Sequence, residues 1–164
     1  MISSVRSSKQ AGFSLVELLV VIFIIGVLAA LLSTNLAGAR NRAEDSKAKS
    51  NLSELKKALR IYYNDYQSYP ADSSGSIAGC GAAGTSVCGS GIFSNDSDDT
   101  VYMRDLPEDF AYYSDGDEEF LLVVELNNAS DQDISASQAV CSPASRLYYT
   151  DGPISATEYV VCED

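Results

Sequence analysis

From Phe13 to Leu32 the chain reads FSLVELLVVIFIIGVLAALL, twenty residues in which Glu17 is the one ionisable side chain. A stretch this apolar has no polar face to offer water, and as a helix rising 1.5 Å per residue it reaches about 30 Å, the thickness of a bilayer's hydrocarbon core. It predicts a transmembrane helix over 13–33. The pattern then changes: Ala48, Leu52, Leu55, Leu59, Tyr62 and Tyr66 recur at intervals of 4, 3, 4, 3 and 4, with Lys49, Glu54, Lys56, Lys57 and Arg60 between them. That spacing puts the apolar residues on one stripe of an amphipathic helix over 34–69. Tyr69-Pro70 supplies the stop, because the residue before proline is pushed out of the helical region.

Beyond Pro70 the rhythm is that of strands. Phe110 to Tyr113, Glu119 to Leu126 and Glu158 to Cys162 are the strand candidates, with Leu147 to Thr150 a shorter fourth, and Asp115-Gly116 reads as a hairpin turn. The central candidate shows little polar alternation, so both of its faces are expected to be covered, one by the helix stripe. Residues 71 to 100 are dominated by Gly, Ser, Ala and Asp and read as a surface loop. The fold class expected is α+β, a long N-terminal helix, apolar in its first half and amphipathic in its second, packed on a small antiparallel sheet within a 70–164 head.

Charge sharpens this division. The formal net charge is -12; residues 34 to 66 carry seven basic and four acidic side chains, and residues 96 to 164 carry two basic and seventeen acidic. A polyanion would be repelled by most of this surface, so no nucleic-acid partner is expected for this chain alone. There is no histidine, no nucleophile elbow and no phosphate-binding glycine loop, and the consecutive acids Asp117, Glu118 and Glu119 do not make an acid-base pair. The chain does not read as an enzyme. Asp96, Asp98 and Asp99 invite a calcium site but lack the full pattern of a known calcium loop, and a solvated acidic loop is the reading preferred.

Four cysteines, Cys80, Cys88, Cys141 and Cys162, lie in the second half, and none forms a C-x-x-C pair. An even number beyond an apolar N-terminal segment points to disulfides formed outside the cytoplasm rather than to zinc. Three pairings are possible. Cys80 with Cys88 and Cys141 with Cys162 is preferred because both close local loops.

Glu17 is what an ordinary anchor does not explain, since a carboxylate inside an apolar span costs on the order of 3 kcal/mol or more. Either it sits wet at headgroup level, or it meets a cation, such as an amino terminus created nearby by proteolysis. Arg6 and Lys9 precede the span and favour a cytoplasmic N-terminus, though Arg40 and Arg42 follow it. A secretory signal cut at Ala37-Gly38-Ala39 is the competing reading, but the apolar run is longer than an ordinary h-region and contains Glu17.

Gly12-Phe13-Ser14-Leu15-Val16-Glu17, after a short basic leader and before an apolar helix, resembles the processing motif of type IV prepilins and type II secretion pseudopilins. The resemblance implies a 1–12 leader removed between Gly12 and Phe13 by a prepilin peptidase, N-methylation of Phe13, and contact of Glu17 with a neighbouring subunit's amino terminus during assembly. It implies a subunit held as a single-pass inner-membrane protein and then drawn into an extracellular or periplasmic filament. The partners implied are further copies of itself, the peptidase, and an inner-membrane assembly platform with its motor; no cofactor is implied. A minor pilin or tip adhesin, and a major pseudopilin, are the alternative roles. Many relatives have proline where Thr34 stands, so no break of the helix is forced here, and Gly26 is the only obvious weak point in the apolar segment.

Overall fold

The computed structural model describes residues 12–89, 91–95, 100–114, 116, 118–141 and 154–163, with 31–37 described for their backbone alone. The expected fourth strand, Leu147 to Thr150, lies outside the described residues, as do Arg6 and Lys9 of the expected leader, the acids Asp96, Asp98 and Asp99, and Asp115 and Asp117. The chain divides into two compact units, Met1–Arg40 and Asn41–Asp164.

Helix α1, Leu15–Tyr66, is assigned over 52 residues. Within the first unit every described side chain from Gly12 to Ala30 is exposed. Among the described residues no helix is long and apolar enough to cross a membrane.

In the second unit α1 is followed by β1 (Ala71–Ser73), β2 (Ser76–Ala78), β3 (Phe93–Asn95), β4 (Thr100–Met103), β5 (Ala111–Ser114), β6 (Phe120–Glu125), α2 (Gln132–Val140) and β7 (Glu158–Cys162). The strands pair antiparallel as β1-β2, β3-β4 and β5-β6-β7. This is the α+β arrangement expected, a long helix with small antiparallel sheets. The three main strand candidates form the last sheet, with Leu122 opposite Tyr112 on one side and Val161 on the other.

The period of two then sorts the side chains. Tyr112, Phe120, Leu122 and Val124 belong to the same core as Leu52, Leu55, Leu59 and Tyr62 of α1, whereas Tyr113, Leu121, Val123 and Val160 pack on the other face with Cys141 and Cys162. Both faces of β6 are covered, as its continuous apolar run requires.

Two readings of the sequence need correction. The stretch 71 to 100 holds three strands within it and the first residue of β4, and it contributes Ile77 and Phe93 to the core at 1 % and 0 % exposure. Few apolar residues sufficed because turn chemistry did the rest. Ser74 and Gly75 both adopt positive φ (51° and 78°), which a two-residue hairpin of this twist requires. Gly79 is needed for close approach, since a Cβ there would lie 2.7 Å from Pro70. The second correction is α2, which sequence patterning missed. Its single buried residue, Ile134, leaves no apolar stripe to detect, but Asp131 caps it by accepting from the Asp133 N–H.

Polar contacts fasten this unit. Asp45 on α1 is buried at 3 % exposure, and its carboxylate accepts from the backbone N–H groups of Asn127 (2.7 Å) and Asn128 (3.0 Å) and from the Asn127 side-chain amide (3.1 Å). Lys49 Nζ donates to Asp131 (2.6 Å) and Asp133 (2.7 Å) and lies 5.6 Å from the centre of the Tyr159 ring. Arg60 reaches Glu163 at 3.5 Å, and the Tyr69 hydroxyl donates to the same carboxylate. The Tyr112 hydroxyl donates to the Pro70 carbonyl at 2.6 Å, and burial pushes that phenol well above the ordinary tyrosine range.

Burial alone would lower the Lys49 pKa, but its hydrogen bonds to Asp131 and Asp133 hold it above the ordinary lysine value. Asp131 is correspondingly depressed, first by the Lys49 hydrogen bond and then by that from Asp133 N–H. The Asp131 contribution is therefore present above the unfolded aspartate pKa and lost as pH falls through the depressed folded value. The Lys49 contribution is present below the unfolded lysine pKa and lost as pH rises through the raised folded value. Lys49→Met should lower stability by about 1 kcal/mol at neutral pH, and thermal melts should show the gap from the unmodified chain closing towards acid. A gap that is constant down to pH 2 would contradict this pairing.

Candidate assembly site

The residues singled out at the start of the chain, Gly12, Phe13 and Glu17, fall within one turn of the beginning of α1. Gly12 to Ser14 precede the helix, and Phe13 is 85 % exposed, so the Gly12-Phe13 peptide stands in non-helical, accessible backbone. Gly12 places no side chain beside that bond.

Ser14 stands at the head of the helix. Its carbonyl accepts from the Leu18 N–H at 3.3 Å, and its own N–H donates to Glu17 Oε2 at 2.9 Å. This is the return half of a capping box, in which the third helical residue reaches back to the N-cap amide. The carboxylate also lies in the first turn, where the helix dipole favours negative charge. Sequence reasoning treated Glu17 solely as a charge in an apolar run. The Ser14-x-x-Glu17 spacing was the signal for its second role. Glu17 is exposed here, so one oxygen caps the helix while the carboxylate stays accessible to an external cation.

The cysteines named from sequence lie in the second unit. Cys80 is bonded to Cys88, with S–S 2.01 Å and Cα–Cα 5.0 Å, and Cys141 to Cys162, with S–S 2.15 Å and Cα–Cα 5.6 Å. The first closes the loop after β2, where Cys80 and Ser86 also exchange backbone hydrogen bonds. The second joins the end of α2 to β7. Among the described residues no group of three or more acidic, cysteine or histidine side chains is placed to hold a metal ion.

Comparison with known proteins bears on the N-terminal part of the chain. Residues 7–33 match the family model described as the prokaryotic N-terminal methylation motif. The type II secretion system core protein G of Escherichia coli K12 is 45 % identical over 69 residues, which cover 42 % of this chain and 48 % of the relative. Core protein G of Vibrio cholerae is 39 % identical over 70 residues, 43 % of this chain and 48 % of the relative. The type IV wide pilus major component PilA4 of Thermus thermophilus is 42 % identical over 73 residues, 44 % of this chain and 54 % of the relative. The chain spans about half the length of the curated relatives it matches. No solved structure gives a significant match. The methylation motif and these relatives, with a long helix followed by small antiparallel sheets, support a pilin or pseudopilin family for this chain.

Proposed function

We propose that this chain is the precursor of a structural subunit of a type IV pilus-like filament. In this reading a prepilin peptidase cuts the Gly12-Phe13 bond and methylates the new Phe13 amine. The apolar helix from Phe13 holds the subunit in the inner membrane as a single span, with an assembly platform and its motor as partners. Copies of the chain then pack through that helix into an extracellular or periplasmic filament. The role is structural rather than catalytic.

The observation that carries this reading is the matched motif at the head of a helix whose described side chains from Phe13 to Ala30 are exposed. Between Phe13 and Leu28, thirteen large apolar side chains are exposed, each between 47 % and 85 %. Each is worth about 1.5–3 kcal/mol when removed from water, so a lone chain in water is strongly disfavoured. Lipid before assembly and other copies afterwards supply the cover. Glu17, costly in such surroundings by itself, is compensated by the amine that cleavage creates, since a paired charge in low dielectric avoids much of the penalty of a lone one.

The relatives named as core protein G favour the pseudopilin form of the same reading, a major subunit serving a secretion machine.

Glu17→Gln and Glu17→Ala separate the two roles of this carboxylate, because the amide of glutamine keeps an acceptor for the Ser14 N–H while removing the charge. Both variants should be cleaved normally, and both should lose sheared filaments by at least about tenfold, equivalent to losing ~1.4 kcal/mol per subunit contact. Normal filament yield from Glu17→Gln would mean that capping suffices and would remove the charge-pairing role.

A further inference from the structure

The second unit carries a groove of about 1250 Å³ between α1, the segment 105–110 and the adjoining ends of β6 and β7. Its lining has seven carboxylates, Asp45 among them, against the single ammonium of Lys47. Asp45 is consumed by its contacts to Asn127 and Asn128. Asp105, Glu108 and Asp109 are exposed and make no ion pair among the described residues.

The same helix presents the opposite charge on its other side. At about 100° per residue, Glu44, Lys47 and Asn51 fall on one flank of the buried stripe, facing the groove, while Arg42, Lys49, Lys56 and Arg60 fall on the other. Lys49 and Arg60 are held by carboxylates of their own chain. Arg42 on that flank, and Lys57, about 22 Å further along α1 on the face opposite the buried stripe, are exposed and make no ion pair among the described residues.

We infer that the acidic groove of one copy receives the basic flank of α1 of a second copy, with Arg42 and Lys57 opposite Asp105, Glu108 and Asp109. The two surfaces are different patches on one molecule, so the contact is head to tail and generates an open helical polymer rather than a closed dimer. This rests on the filament reading and adds to it a contact made by the folded head, independent of Glu17 and the apolar helix. Being exposed, the pairs are screened by salt and act chiefly in choosing partner and register.

The test uses the full chain in cells. With Asp109 replaced by p-benzoylphenylalanine, irradiated filaments should yield a dimer crosslink that mass spectrometry places near Arg42 or Lys57 of a second copy. D105K/E108K/D109K should reduce filament yield by about fivefold or more, the effect of losing one good exposed pair, and adding R42E/K57E to the same chain should restore it. Restoration would also show that the triple variant folds. Filaments that form normally but crosslink elsewhere, or to lipid, overturn the groove contact and leave the filament reading intact. Failure of the unmodified chain to form filaments overturns both.

Discussion

A carboxylate placed five residues after the proposed cut, in a helix with no other charge for more than twenty residues, constrains everything at this end of the chain. The apolar side chains around Glu17 must leave water, and the carboxylate must not leave it alone. The structure supplies a partial answer within one chain: Glu17 accepts from the Ser14 N–H and sits at the positive end of the helix dipole. A neutral amide and a partial charge do not neutralise a full one. An amine at Phe13 does, and it exists only after the Gly12-Phe13 bond is broken. In this account proteolysis is the switch, because it creates the one group that lets Glu17 be buried.

The head answers a different constraint, the need to close a core around one helix stripe and a small sheet. Leu52, Leu55, Leu59 and Tyr62 meet alternate residues of β5 and β6, and the opposite face of the sheet is closed by Tyr113, Val160 and the Cys141–Cys162 bridge. The outer edge of β7 would otherwise be an open template for pairing. Instead, Ser137 accepts from the Val160 N–H and Gln138 donates to the carbonyls of Ser155 and Glu158, so α2 blocks that edge with side chains. Asp45 and Lys49 then tie α1 to the segments on either side of α2's start. The charges of the head thus do two kinds of work, some stapling the chain to itself and others left facing outward along the groove and the opposite helix flank.

Most of this was legible in the sequence where periodicity was strong. The 4-3-4-3 spacing from Ala48 to Tyr62 gave the stripe that packs in the core, although Tyr66, at the end of the same series, is exposed, and the apolar runs at 110–113, 119–126 and 158–162 gave the three-stranded sheet. What escaped notice had weak or no periodicity. The hairpin of β1 and β2 depends on two positive-φ residues, Ser74 and Gly75, and on one buried isoleucine, too little pattern for any window to detect. Helix α2 is held by a cap, by Lys49 and by the chain edge it covers, with Ile134 its only buried side chain. At the candidate site the motif Gly12-Phe13…Glu17 was readable. The cap formed by Ser14 and Glu17 is carried by their S-x-x-E spacing, in a run whose only charge is the same Glu17. Asp45 could not have been found from sequence, since its partners Asn127 and Asn128 are more than eighty residues away.

The most direct measurement is mass spectrometry of the intact N-terminus of the protein extracted from its membrane fraction. The account predicts a mature chain that begins with N-methylated Phe13, supplying the amine that Glu17 requires. A chain that keeps its Met1 leader in assembled material, or one that begins at Arg40 after a conventional signal cleavage, would contradict it.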